Sequence, residues 1–144
     1  MESFLGYKTG NPIHLGNIEF TKQQIIDFAT QFDPLDFHTN EEAAKATPFK
    51  ALIASGPQLF TTIHKNKWIP LFGKTVIAGM EVTNWKFAKP LYANQLVACY
   101  VTPKSLKGSI EKGYAVIDWF YEFKDAESQD YIQYLNMVVM HKFS

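Results

Sequence analysis

From residue 76 onward the chain is built almost entirely from strand-forming residues, with one apolar helical segment standing just before them. That order restricts the possible fold more than any other feature of the sequence. Four stretches rich in β-branched and aromatic side chains follow Gly73: Val76 to Phe87, Gln95 to Thr102, Gly113 to Lys124 and Asp130 to Lys142. In the third, Ala115, Ile117, Trp119, Tyr121 and Phe123 alternate with Val116, Asp118, Phe120, Glu122 and Lys124, the period of a strand with one face on a core. Asp125-Ala126-Glu127-Ser128-Gln129 is a polar hairpin connection between the last two. Ahead of the strands, Ser55-Gly56-Pro57 signals a helix start, because proline at the first helical position gives up a donor that would be unpaired anyway. Leu59, Phe60, Ile63 and Trp68 then form an apolar stripe, and Pro70 is expected to close it. Helices followed by consecutive antiparallel strands give an α+β class, one sheet curled around one apolar helix.

The first third of the chain carries shorter helices. Thr21 and Gln24 make a capping box, and Ile25, Phe28, Ala29 and Phe32 recur at helical spacing, so a helix of about three turns should end near Phe32. Asp33 to His38 reads as a loop, since Pro34 disfavours helix at the preceding residue and the short acids favour turns. Thr39 and Glu42 suggest a second capping box, opening a short helix through Lys45 that stops before Pro48. No internal repeat, low-complexity stretch or linker interrupts the 144 residues, which are expected to form a single domain, 1–144.

Charge excludes several classes of partner. The 14 lysines and arginines equal the 14 aspartates and glutamates, so the clustered basic surface of a nucleic-acid binder is not expected. Cys99 is the single cysteine and has no disulfide or thiolate-metal partner. Glu2 stands where a signal peptide would carry positive charge, and no apolar run approaches the ~18 residues of a membrane span. A soluble, cytoplasmic chain with no membrane partner is the expectation.

The residues able to do chemistry lie between the helices. Asp33 and His38 sit on one short segment, where a carboxylate and an imidazole can both reach a single water; histidine suits acid–base work near neutral pH. By spacing alone the favoured reading of the pair is a helix cap and a packed ring, since such pairs are common in loops. Gly56, at the helix start after Ser55, offers a backbone N–H where the helix dipole favours developing negative charge, though the same residues fit an ordinary helix cap. His64, eight residues on, falls near the same helix face and either borders a site or packs. His14 and His141 show no ligand spacing, so no metal site is expected. Gly-x-Ser-x-Gly elbows and phosphate-binding glycine loops are absent from the sequence.

Phe32-Asp33-Pro34-Leu35-Asp36-Phe37-His38-Thr39, with Glu41-Glu42-Ala43-Ala44-Lys45 after it, resembles the hydratase motif of MaoC-like dehydratases and (R)-specific enoyl-CoA hydratases. Leu52-Ile53-Ala54-Ser55-Gly56 is similar to that family's approach to its central helix. Gly79-Met80-Glu81-Val82, Trp85-Lys86-Phe87 and Lys89-Pro90-Leu91-Tyr92 resemble its next stretch, so the similarity covers most of the chain from about Phe20. The resemblance implies a hot-dog fold, a homodimer with the site at the subunit interface, and a coenzyme A or carrier-protein thioester as ligand, with no cofactor. It places the catalytic pair on Asp33 and His38, which of them is base being left open, and the carbonyl-binding amide on Gly56. Ser55 and His64 join the substrate-binding set, His64 standing where some hydratases have a serine. Leu35 replaces the family's amide side chain, Asp36 its proline, and Lys50-Ala51 its two glycines. Two alternatives stay in view: a hot-dog acyl-CoA thioesterase and, motivated by those departures, a non-catalytic acyl-thioester-binding or dimerisation module.

Overall fold

A computed structural model describes residues 3–4, 6–109 and 111–143. A two-residue pair, β1 (Ser3–Phe4) and β2 (Tyr7–Lys8), precedes β3 (Ile13–Ile18). Helix α1 (Lys22–Phe32) has the expected capping box: the Thr21 hydroxyl accepts from the Gln24 N–H and the Gln24 side chain accepts from the Thr21 N–H. It buries Ile25 and Ala29, whereas Phe32, expected on the apolar stripe, is exposed.

The segment expected to be a loop is partly helical, because Pro34 ends α1 but Asp36 starts a new turn, α2 (Asp36–Thr39), with its acid at the favourable end. The next cap is Asn40 rather than Thr39: Asn40 Oδ1 accepts from the Ala43 N–H to open α3 (Glu41–Lys45), while the Thr39 hydroxyl donates to the Leu35 carbonyl. Lys50 follows at φ 60, the left-handed region that favours glycine. The position where the family resemblance has glycine thus keeps a glycine-like backbone under a lysine side chain.

The apolar helix is α4 (Gly56–Ile63), with Leu59 and Ile63 buried. It does not stop at Pro70. A π-helical turn, His64–Trp68, leads into α5 (Ile69–Phe72), where Pro70 occupies a first-turn position that needs no donor. A 3₁₀ turn then feeds β4 (Val76–Phe87), β5 (Val97–Ser109), β6 (Tyr114–Asp125) and β7 (Tyr131–Lys142). All neighbours in the sheet are antiparallel, in the order β3-β5-β6-β7-β4. β5 runs past its expected end at Thr102, because a register shift between Pro103 and Ser105 absorbs the proline. β3 lacks a clean alternation, with His14, Gly16 and Asn17 among its six residues, and it was not expected from the sequence.

On β6, Ala115, Ile117, Trp119, Tyr121 and Phe123 all point inward and are fully buried; with β7's Leu135, Met137 and Val139 they wrap the buried face of α4. This is the hot-dog arrangement. Edge strand β4 is exposed along most of its length. No helix among the described residues is long and apolar enough to cross a membrane.

Candidate active site

Three local structures converge at the N-terminal end of α4. Asp33 is the C-cap of α1, its N–H bonded to the Ala29 carbonyl, so its side chain leaves the helix toward Ser55. His38 lies on α2. The residues Ile53 and Ala54 are stitched between α2 and the segment after β4: the Ile53 N–H donates to the Phe37 carbonyl, the Ala54 N–H to the Leu91 carbonyl, and Ile53 bridges Tyr92. That stitching delivers Ser55 and Gly56 beside Asp33.

The Ser55 hydroxyl donates to Asp33 Oδ2 at 2.7 Å, and the same oxygen lies 3.5 Å from His38 Nε2. Ser55 is buried and makes no side-chain cap for α4, because its hydroxyl is spent on the carboxylate. His38 Nδ1 sits 2.6 Å from the Ile53 carbonyl oxygen, which can only accept; Nδ1 therefore carries the ring proton in the neutral form and Nε2 presents a lone pair toward Asp33. Two acceptors 3.5 Å apart can both be reached by the two O–H groups of one water standing on their cavity side. The ring packs edge-on against Phe37, 4.4 Å between centroids.

His38 is largely buried, yet it faces open space. Asp33, His38 and Gly56 line one cavity of about 530 Å³, walled chiefly by apolar side chains that include Phe49, Ile53, Phe87 and Leu91. The mixture of an apolar wall with a few convergent polar groups is that of a small-molecule site. Phe87 covers Gly56 closely: a Cβ on residue 56 would lie 2.6 Å from Phe87 Cε1.

Ser55 and His64, the other two residues of the expected substrate-binding set, are placed differently, and the neighbouring aromatic side chains divide between wall and core. Ser55 is adjacent to the cavity but acts on Asp33 rather than lining the wall. His64 does not line the cavity. Eight residues of helix carry it ~12 Å along the axis from Gly56, where it stacks on Trp68 and its Nδ1 meets the Tyr121 hydroxyl at 3.0 Å. Burial lowers its pKa. Phe49 is on the wall, while Phe60 packs against Trp85 and Tyr121, and Tyr92 holds the Phe49 carbonyl from outside.

Gln133 was missed. It is a buried amide on the inward face of β7, in phase with Leu135, Met137 and Val139, and it lines the cavity. The only trace in the sequence is a polar residue at an inward position of an alternating strand. Among the described residues no cluster of metal-ligating side chains occurs.

The family model described as a MaoC like domain matches residues 7–117. Among curated proteins, the uncharacterized protein YdeM of Bacillus subtilis is 34% identical over 88 residues, 60% of this chain, and the match spans only 62% of that relative's length. Among solved structures, a MaoC-like dehydratase from Rhodospirillum rubrum superposes with a TM-score of 0.80 at 19% identity, covering 95% of this chain and 94% of that one. The R-hydratase PhaJ1 from Pseudomonas aeruginosa gives 0.72 at 14% identity, covering 95% and 83%. At those identities the superpositions establish the shared fold.

Proposed function

This chain belongs to the MaoC-like domain family, and from that premise we propose that it is a hydro-lyase adding water to, or removing it from, an acyl thioester through Asp33 and His38. The observation that carries the reading is geometric: two acceptors, Asp33 Oδ2 and His38 Nε2, stand 3.5 Å apart on a cavity shared with Gly56.

In the hydration direction, a water held by the pair attacks C3 of a 2-enoyl thioester. His38 Nε2 takes one water proton as the new C–O bond forms, and the electron pair moves through C2 to the thioester oxygen. The Gly56 N–H, at the helix N-terminus, stabilises that enolate; one such donor contributes about 3 kcal/mol. The protonated ring then returns a proton to C2 and the thioester carbonyl re-forms. Asp33, held by the Ser55 hydroxyl, orients the water and stabilises the imidazolium. The apolar wall of Phe49, Phe87 and Leu91 accommodates the acyl chain.

The functional unit we infer is a homodimer formed along β4. That edge strand is 12 residues long and exposes Ile77, Met80, Val82 and Phe87, an unprotected edge that a second copy would cover. Phe87 belongs to both this edge and the cavity wall, so the partner would help to close the site.

Loss of the conjugated thioester absorbance on incubation with 2-enoyl-CoA of several chain lengths tests the reading. Turnover is expected in the unsubstituted protein, with a fall of at least a hundredfold in Asp33→Asn and His38→Ala, the usual scale of acid–base catalysis. Absence of turnover at every chain length, or undiminished turnover in both variants, refutes it. Free thiol in place of a hydroxyacyl thioester would instead identify a thioesterase.

A further inference from the structure

We propose that Gln133 and Trp85 are positioning residues that fix the Gly56 peptide so that its N–H faces the reacting carbonyl; this deepens the hydro-lyase reading and rests on it. Gln133 is 4% exposed. A primary amide so placed must satisfy both ends or incur a desolvation cost, and here both ends are used. Its Nε2 donates to the Gly56 carbonyl at 2.9 Å, and its Oε1 accepts from Trp85 Nε1 at 3.2 Å. The two bonds connect β4, β7 and the first residue of α4.

The strand geometry that makes the connection is irregular on β4. The pairing of β4 with β7 slips between Thr83 and Lys86, and Asn84 within the slip has φ 52. Such a bulge re-aims the side chain beside it. Trp85 accordingly packs edge-on to Phe60 of α4, 5.3 Å between centroids, with its indole N–H on Gln133. On β7 a further slip, opposite Phe123 and Lys124, leaves both Ile132 and Gln133 buried.

Gly56 needs an external hold. Without a Cβ it is the least constrained residue of the helix start, and the carbonyl held by Gln133 belongs to the peptide shared with Pro57, which has no N–H of its own. Fixing that carbonyl fixes the peptide plane after Gly56, and the Phe87 ring closes the side where a Cβ would stand. The Gly56 N–H belongs to the preceding peptide, whose Ser55 carbonyl accepts from the Gln58 N–H at 3.1 Å; with the planes on both sides of the Gly56 Cα held, the N–H is left with one direction rather than several. A catalytic donor displaced by about 1 Å loses on the order of a hundredfold in rate, so orientation at this residue governs kcat.

The test compares Gln133→Leu, which removes both bonds, with Trp85→Phe, which keeps an aromatic ring against Phe60 but has no indole N–H to donate. With 2-enoyl-CoA as substrate, kcat should fall about tenfold to a hundredfold in Gln133→Leu and by less in Trp85→Phe, with KM within about twofold in both. The Gly56 carbonyl ¹³C and amide resonances should move in the ligand-free variants while those of Leu59 and Ile63 stay in place. Should Gln133→Leu fail to fold, Trp85→Phe carries both readouts. Unchanged kcat with unmoved Gly56 resonances overturns the proposal, as does a rise in KM with loss of folded signal that matches the fall in kcat. If the unsubstituted protein turns over no enoyl thioester, the hydro-lyase reading falls, and the Gly56 resonances alone decide whether Gln133 sets this peptide.

Discussion

His141 offers a quantitative test of how the core is wired. It is fully buried on the inward face of β7, at the far end of the sheet from Gln133. Trp119 Nε1 donates to its Nε2 at 3.1 Å, so the neutral ring carries its proton on Nδ1, which meets the Thr75 hydroxyl at 2.8 Å; that hydroxyl in turn donates to the Phe72 carbonyl. Burial pushes the His141 pKa down to about 4. A proton added at Nε2 would also face the indole N–H, donor against donor. The unfolded chain takes up this proton near pH 6.5 and the folded chain only near 4, so between these values the unfolded state binds more protons and stability rises with pH. The contribution is complete above about pH 6.5 and is lost as the pH falls toward 4. At 1.36 kcal/mol for each unit, the full window amounts to about 3 kcal/mol. His141→Gln keeps an acceptor and a donor but does not titrate. Urea unfolding of both proteins at fixed concentration, at pH 7 and pH 4.5, should show the unsubstituted protein losing about 2–3 kcal/mol more than the variant. Taking the difference cancels the titration of His64 and the exposed carboxylates. Parallel losses in the two proteins would refute the neutral buried tautomer.

Further outcomes follow from the site. Ser55→Ala removes the hydroxyl on Asp33 Oδ2, a bond to a charged acceptor worth about 1.5–3 kcal/mol, and steady-state kinetics should show at least a tenfold fall in kcat/KM. Gly56→Ala places a methyl 2.6 Å from Phe87 Cε1 and should abolish turnover, with partial recovery in the double variant carrying Phe87→Ala. Lys50→Gly, relieving a lysine held at φ 60, should raise stability to denaturant by up to about 1 kcal/mol. Met80→Glu, placing charge on the exposed β4 edge, should shift the protein to monomer by sedimentation and lower activity in parallel.

Much of this molecule was present in the order of its residues. The capping box at Thr21, the glycine–proline helix start and the alternation along residues 115–123 state local preferences that packing reinforces, so α1, α4 and β6 appear as expected. The motif from Asp33 to His38 identified the pair with a role to test. What one-dimensional pattern could not supply was any relation between segments distant in sequence. The Asn40 cap displaced Thr39, and the π turn carried the helix past Pro70, because hydrogen bonding was decided among neighbours in space. Ser55 looked like a cap and proved to hold a carboxylate 22 residues away, while His64 shared a helix face with Gly56 yet lay too far along the axis. Gln133 reaches Gly56 across 77 residues through two strand slips. Local periodicity fixes which face a residue presents; only the closed sheet, by setting register, decides what that face meets.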